Sequence, residues 1–160
     1  MAVAAAALLI ASPALAHDFA AGDITVNHPW SRQTPPGAKV GAGYFSVSNR
    51  GAETERLLSG TSGVSGVFEF HRSETVDGVA RMRPVEGPIE IAPGETVVFE
   101  PGGTHVMLTG LKAPIGVGEP FVGSLLFEKA GTVDVEFTVE PLGAPAPAEA
   151  VAPAGAHSGH

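Results

Sequence analysis

An all-β sandwich or barrel is predicted for this chain on three observations. From about Asp23 to Glu140 the sequence is dense in Val, Phe, Thr and Gly. Gly and Pro punctuate that region roughly every eight to twelve residues, the spacing of short strands joined by turns. No window carries a helical hydrophobic period.

The strands follow in order, each set off by residues that break a ladder. Ile24 to His28 stops at Pro29, Gly43 to Asn49 runs to Arg50-Gly51, and Glu55 to Ser59 stops at Gly60. Val67 to Glu74 and Val79 to Val85 flank Asp77-Gly78. Ile89 to Ile91 lies between Pro88 and Pro93-Gly94, and Thr96 to Glu100 is closed by Pro101-Gly102-Gly103. His105 to Thr109 ends at Gly110, Phe121 to Phe127 follows Pro120, and Thr132 to Val139 lies between Gly131 and Pro141. Pro lacks the ladder N–H, and Gly offers no side chain to pack. Alternation is clearest at the end, where Val133, Val135, Phe137 and Val139 share one face and Asp134, Glu136 and Thr138 the other.

A length of 160 residues gives room for one domain with a real core. Residues 1 to 16 are apolar and Ala-rich and end in the small-x-small triplet Ala14-Leu15-Ala16, which reads as a secretory leader cut after Ala16. No Lys or Arg precedes its apolar stretch, a departure that points to a truncated or mis-started N-terminus. The run falls short of the ~20 residues a bilayer core needs, so an integral membrane protein is not expected. Export implies an oxidising compartment, yet there is no Cys, so stability rests on packing without disulfides. A net charge of -8 argues against nucleic acid as a partner. An acidic surface suits cation traffic or a basic docking partner, and also solubility alone.

The domain is expected over residues 17 to 141, with residues 17 to 23 flexible. Residues 142 to 160 collapse into Ala, Pro, Gly and Glu and finish His157-Ser158-Gly159-His160. Such a tail cannot bury enough apolar area to offset its ordering entropy, so disorder is expected.

Two His–Met couples stand out: His71 with Met82, and His105 with Met107. The chain has three methionines, one the initiator, and both others lie within eleven positions of a histidine. Thioether sulfur is soft and uncharged; it holds Cu(I) well and offers little to Zn(II), Mg(II) or Ca(II). Asp77-Gly78 between β-rich runs signals a two-residue hairpin. That turn sets Val76 opposite Val79, Thr75 opposite Ala80, Glu74 opposite Arg81 and Ser73 opposite Met82. His71 then becomes a diagonal neighbour of Met82 on the same face, roughly 7 to 8 Å away between backbones. A one-residue slip would turn Met82 to the other face. Strand period places His105 and Met107 together, with Val106 and Leu108 turned away. The preceding Pro101-Gly102-Gly103-Thr104 turn leaves His105 at the rim of its sheet. A plainer reading, with Met as core filler and His as a hydrogen-bonded or surface residue, stands beside this one, and pattern alone leaves both open.

These residues resemble the periplasmic copper chaperones called PCuAC. The family motif runs His, ten residues, Met, about twenty-one residues, His, one residue, Met; here the three gaps are ten, twenty-two and one. The extra residue is assigned to the Glu86-Gly87-Pro88-Ile89 turn. The likeness extends over His28-Pro29-Trp30-Ser31-Arg32, Gly41-Ala42-Gly43-Tyr44-Phe45, Met82-Arg83-Pro84-Val85 and Pro101 through Leu108. It implies a cupredoxin-like β-sandwich of Greek-key type that binds one Cu(I) through His71, Met82, His105 and Met107. It also implies a periplasmic location and delivery of copper to the CuA centre of cytochrome c oxidase subunit II or a related step of respiratory oxidase assembly, with another periplasmic copper acceptor or donor as the alternative partner. Blue-copper electron transfer is not implied, since those centres use a Cys thiolate.

Cu(II) prefers nitrogen and oxygen donors, so His157 and His160 on the tail, or the mature amino terminus with His17, are candidates for a second, Cu(II) site. A metal-free extension is the alternative. Trp30 is expected as a core or lid aromatic, with His28 as its hydrogen-bonded neighbour. Arg81 and Arg83 flank Met82 on the other face as solvated or docking charges. The expected function is a chaperone without turnover; the alternatives are a periplasmic copper store or resistance factor and a metal-free β-sandwich interaction module. An enzyme is not expected: no Ser-His-Asp ordering, paired acid site or Gly-rich phosphate loop stands out.

Overall fold

The computed structural model describes residues 18–147. These form eleven strands: β1 (Asp18–Ala21), β2 (Ile24–Arg32), β3 (Val40–Asn49), β4 (Glu55–Ser62), β5 (Ser65–Val76), β6 (Val79–Pro84), β7 (Ile89–Ile91), β8 (Thr96–Phe99), β9 (Thr104–Leu111), β10 (Phe121–Phe127) and β11 (Gly131–Glu140). No helix occurs among the described residues. The ladders run β6-β5-β9-β3-β2-β11-β10-β4-β7, with β1 on β2 and β8 on β3. All are antiparallel except β11 with β2.

β11 is the seam between two layers. Gly131 to Phe137 pair with β10, and Thr138 to Glu140 pair with β2. The result is a cupredoxin-like β-sandwich. Its core draws Val47, Phe45, Phe99, Val106 and Leu108 from one layer and Leu57, Leu125 and Phe137 from the other. Phe45 stacks on Phe99 at 4.3 Å between centroids, and Phe121 on Phe137 at 5.0 Å. Burial of each such side chain contributes about 1.5–3 kcal/mol. In a chain without disulfides this packing is what holds the site's strands in place.

Two expectations need correction. Residues 17 to 23 are not a flexible lead-in throughout, because Asp18–Ala21 pairs with Ile24–Asn27 across the Gly22-Asp23 turn. Phe19 and Ala21 turn inward against the core, which is the reason for the strand. β2 does not stop at His28: a bulge between Asn27 and Trp30, with His28 at φ 45°, carries the strand past Pro29. A bulged residue owes no ladder bond, so Pro is tolerated there.

Past β11, Arg32 Nη2 donates to the Ala144 carbonyl at 3.1 Å, and Ala146 packs on Trp30 and Tyr44. The leader, His17, His157 and His160 lie outside the described residues.

Candidate metal centre

β5 lies between β6 and β9, and this placement assembles the site. Asp77 and Gly78 have φ of 51° and 76°, the left-handed pair that a type I′ turn requires. The hairpin register is the expected one, Val76↔Val79 through Ser73↔Met82. On the other edge of β5, His71 is the direct partner of His105, and Glu69 of Met107. Met107 also faces Ala42 of β3. Period two then sets Met82, Ser73, His71, Glu69, His105 and Met107 on one sheet face. Phe68, Phe70, Val106 and Leu108 turn to the core. The Glu86-Gly87-Pro88 segment, assigned the extra residue, links β6 to β7 and lies outside these ladders.

The two imidazole rings are 6.3 Å apart between centroids. His105 is buried, and its Nδ1 lies 3.0 Å from the Gly103 carbonyl. A carbonyl only accepts, so Nδ1 carries the proton and Nε2 keeps its lone pair. His71 Nε2 lies 3.2 Å from Glu69 Oε2, which fixes the opposite tautomer. Its Nδ1 is then the lone-pair nitrogen, and it is buried with no hydrogen-bond partner. Each ring therefore presents one free nitrogen while an acceptor holds the other, as metal-binding histidines do. A buried polar atom without a partner costs about 1–3 kcal/mol, which a bound cation would offset.

Aromatic residues wall the site on the β3 side. Tyr44 lies 6.5 Å from the His105 ring and 4.5 Å from Trp30. Burial raises the pKa of the Tyr44 phenol, opposed by the nearby Arg32 charge, so it remains a neutral hydroxyl. The Arg32 guanidinium sits 5.5 Å from the centroid of the Trp30 ring. Ala42, Tyr44, Ser73, Met82, His105 and Met107 all line one cleft of about 390 Å³. Of the four candidate donors His71 does not line it, and the other three differ in access: Met82 is 56% exposed, Met107 is half-buried and His105 is 5% exposed.

Among the described residues no group of three or more His, Asp and Glu is placed to hold an ion. On this face the two imidazoles lie with the thioethers of Met82 and Met107 and the carboxylate of Glu69. Trp30 is buried against Tyr44 in a small core cluster, the core alternative of its expected role, and His28 Nε2 lies 3.8 Å from Asp18 Oδ1 of β1. Arg81 and Arg83 occupy the face away from Met82, as expected. Sequence reasoning passed over Glu69 and the Gly103 carbonyl. A carboxylate two positions before a candidate histidine shares its strand face, and that spacing was the available signal.

Fold and site together define a Cys-free β-sandwich with an imidazole–thioether cluster on one sheet face. Residues 24–139 match the family model described as "Putative lipoprotein LpqE-like". The chain belongs to this LpqE-like family, and its solved relatives make it a member of the PCuAC copper-chaperone family. The copper-bound PCuAC domain from PmoF2 aligns with a TM-score of 0.67 at 30% identity, covering 78% of this chain and 98% of that one. Cu(I)-loaded DR1885 from Deinococcus radiodurans gives 0.58 at 25% identity, covering 79% and 81%. "Putative lipoprotein Lxx21020" of Leifsonia xyli subsp. xyli (strain CTCB07) is 29% identical over 120 residues, 75% of this chain and 71% of the relative. No helix among the described residues is long and apolar enough to cross a membrane.

Proposed function

We propose that this chain is a periplasmic Cu(I) metallochaperone that binds one ion through His71, Met82, His105 and Met107 and hands it to the CuA centre of cytochrome c oxidase subunit II. The observation that carries the reading is the His71–His105 cross-strand pair, with His71 Nδ1 buried and unpartnered. Copper-bound and Cu(I)-bound relatives support the cargo. Neutral donors hold Cu(I) without burying a negative charge, and they yield it to an acceptor richer in thiolate or imidazole. Met82 is the exposed donor, so exchange starts there: an incoming ligand displaces its thioether while the more enclosed His105 and Met107 still hold the ion. Only coordination bonds to the cargo are exchanged and no substrate is converted to a product, so the proposed role is that of a carrier and not an enzyme.

The test is a competition titration of the mature protein against a Cu(I) chelator. One equivalent should bind, and Met82→Leu or His105→Ala should weaken affinity by at least about tenfold with the fold intact. Undiminished affinity in a variant lacking all four donors would end the proposal. The Cu(II) site on His157, His160 and His17 is part of the same proposal. Removal of residues 148–160 should lower Cu(II) capacity and spare Cu(I).

A further inference from the structure

Every residue from Glu74 to Pro84 is exposed. Lower on β5 the inward row is Phe68 and Phe70, packed against the core. Past His71 the same row continues as Arg72, Glu74 and Val76, joined across the ladder by Val79, Arg81 and Arg83. The back of the hairpin is thus a bare sheet face where the rest of the layer is covered. Three of the nine Lys and Arg in a chain of net charge -8 stand on it.

Those arginines are not there to pair with one another or with their neighbours. Arg72 and Arg83 are direct cross-strand partners, a like-charge pairing that is destabilising. Glu74 faces Arg81, and Glu74 and Glu86 line the same hollow as Arg72 and Arg83. Even so, among the described residues none of the three guanidinium groups has a carboxylate within 4.0 Å. Arg72 Nε reaches Thr104 Oγ1 at 3.5 Å instead. Guanidinium forks take carboxylates bidentately, and here the forks are left open.

We propose that this back face docks the copper acceptor through a carboxylate-rich protein surface. The inference rests on the copper-transfer reading above. Val76 and Val79, 41% and 54% exposed at the tip, give the contact an apolar centre beside the charges. Elsewhere the negative surface repels an acidic partner, so the arginine face selects a single approach. The partner then holds the strand that carries Met82, on the side away from the sulfur. The competing account is that Arg81 and Arg83 merely guard the open edge of β6 against strand pairing.

The experiment is an amide-shift NMR titration of the metal-free full chain with hexaglutamate at low salt. Three proteins are compared: wild type, Arg81→Gln/Arg83→Gln, and Arg50→Gln/Lys129→Gln, which removes the same charge outside the hairpin. Residues 72–83 should shift in the wild type and the control, with affinity at least about tenfold weaker in Arg81→Gln/Arg83→Gln and lost at high salt. Cu(I) affinity in that variant should stay within about twofold, since no donor changes. Shifts centred elsewhere, no shifts, or equal affinity in Arg81→Gln/Arg83→Gln would overturn the proposal. So would self-association of that variant with hexaglutamate binding retained, the mark of a strand guard. Failure of the wild type to hold Cu(I) would count against the copper reading and leave the titration decisive for the surface.

Discussion

Glu55 and His71 are both polar side chains withdrawn from water, yet one is saturated with partners and the other is not. Glu55 is 4% exposed; its Oε1 accepts from the Arg56 and Lys129 amides at 2.8 and 3.0 Å, and its Oε2 from the Ala130 amide at 2.9 Å. Burial pushes its pKa up, but the three backbone donors and the Lys129 charge outweigh it, and the net shift is downward. The carboxylate ties β4 to the turn between β10 and β11. His71 has Glu69 on one nitrogen and nothing on the other. A saturated buried group fastens the fold, whereas a half-satisfied one carries an uncompensated cost, which under the proposed function a bound ion would offset.

The strongest way to break that contrast is His71→Ala. Cu(I) affinity should fall by at least about 100-fold if the ring is the donor proposed above. Stability to urea should change by no more than about 0.5 kcal/mol, since the deletion also removes a buried atom without a partner. A stable variant with undiminished affinity would show that the free nitrogen has no bearing on metal.

Glu55→Gln should do the reverse. An amide presents one oxygen and one N–H₂ where three backbone donors converge, so about 2 kcal/mol of folding stability should be lost with copper stoichiometry unchanged. The pH dependence has a definite sign. A carboxyl whose folded pKa is depressed contributes stability above its unfolded pKa of about 4.3 and loses it as pH falls through the folded value. The stability gap between wild type and Glu55→Gln, followed by urea melts, should therefore close as pH drops below about 4.3. A gap that stays constant into strong acid would mean that the carboxylate charge plays no part.

Glu69→Gln sharpens the comparison at smaller scale. The carboxylate accepts from His71 Nε2 and so leaves Nδ1 unprotonated. An amide can turn its N–H₂ to the ring and stabilise the other tautomer, which places a proton on Nδ1, the nitrogen proposed to bind the ion. Cu(I) affinity should fall about tenfold, while Glu69→Asp should restore part of it. Trp30, the one Trp of the chain, is buried beside Tyr44 next to the site and gives a fluorescence readout of binding.

The hairpin half of the site was legible in the sequence. Asp77-Gly78 fixes a two-residue turn, and the turn fixes the Ser73–Met82 register through local geometry alone. The His71–His105 pairing was not legible, because it depends on which strand lies on the far edge of β5. That choice is made by core packing of Phe68, Phe70, Val106 and Leu108 across some thirty-four positions of chain, His71 to His105. Trp30 and Tyr44 were visible as part of a shared motif, but the placing of Tyr44 in the cleft beside His105, with Trp30 packed behind it, is again a ladder effect. β1 was missed although Gly22-Asp23 is itself a hairpin signal; only Phe19 and Ala21 among its residues turn inward, too few for a period to register.

Gly78→Ala separates the two halves with the smallest perturbation. A methyl at Gly78 would meet no atom within 4 Å, so its cost is that of holding an L-residue at φ 76°. That is about 1 kcal/mol, and it falls on the β5–β6 turn. Local opening of the hairpin should rise about fivefold, read as faster hydrogen exchange at the Arg81 and Arg83 amides, which face β5. The His71–His105 pair is held from the β9 side and should keep its protection. Cu(I) affinity should then drop only a few-fold, through the time Met82 spends out of register. A loss as large as that of His71→Ala would mean that the exposed thioether, and not the imidazole pair, is what holds the ion.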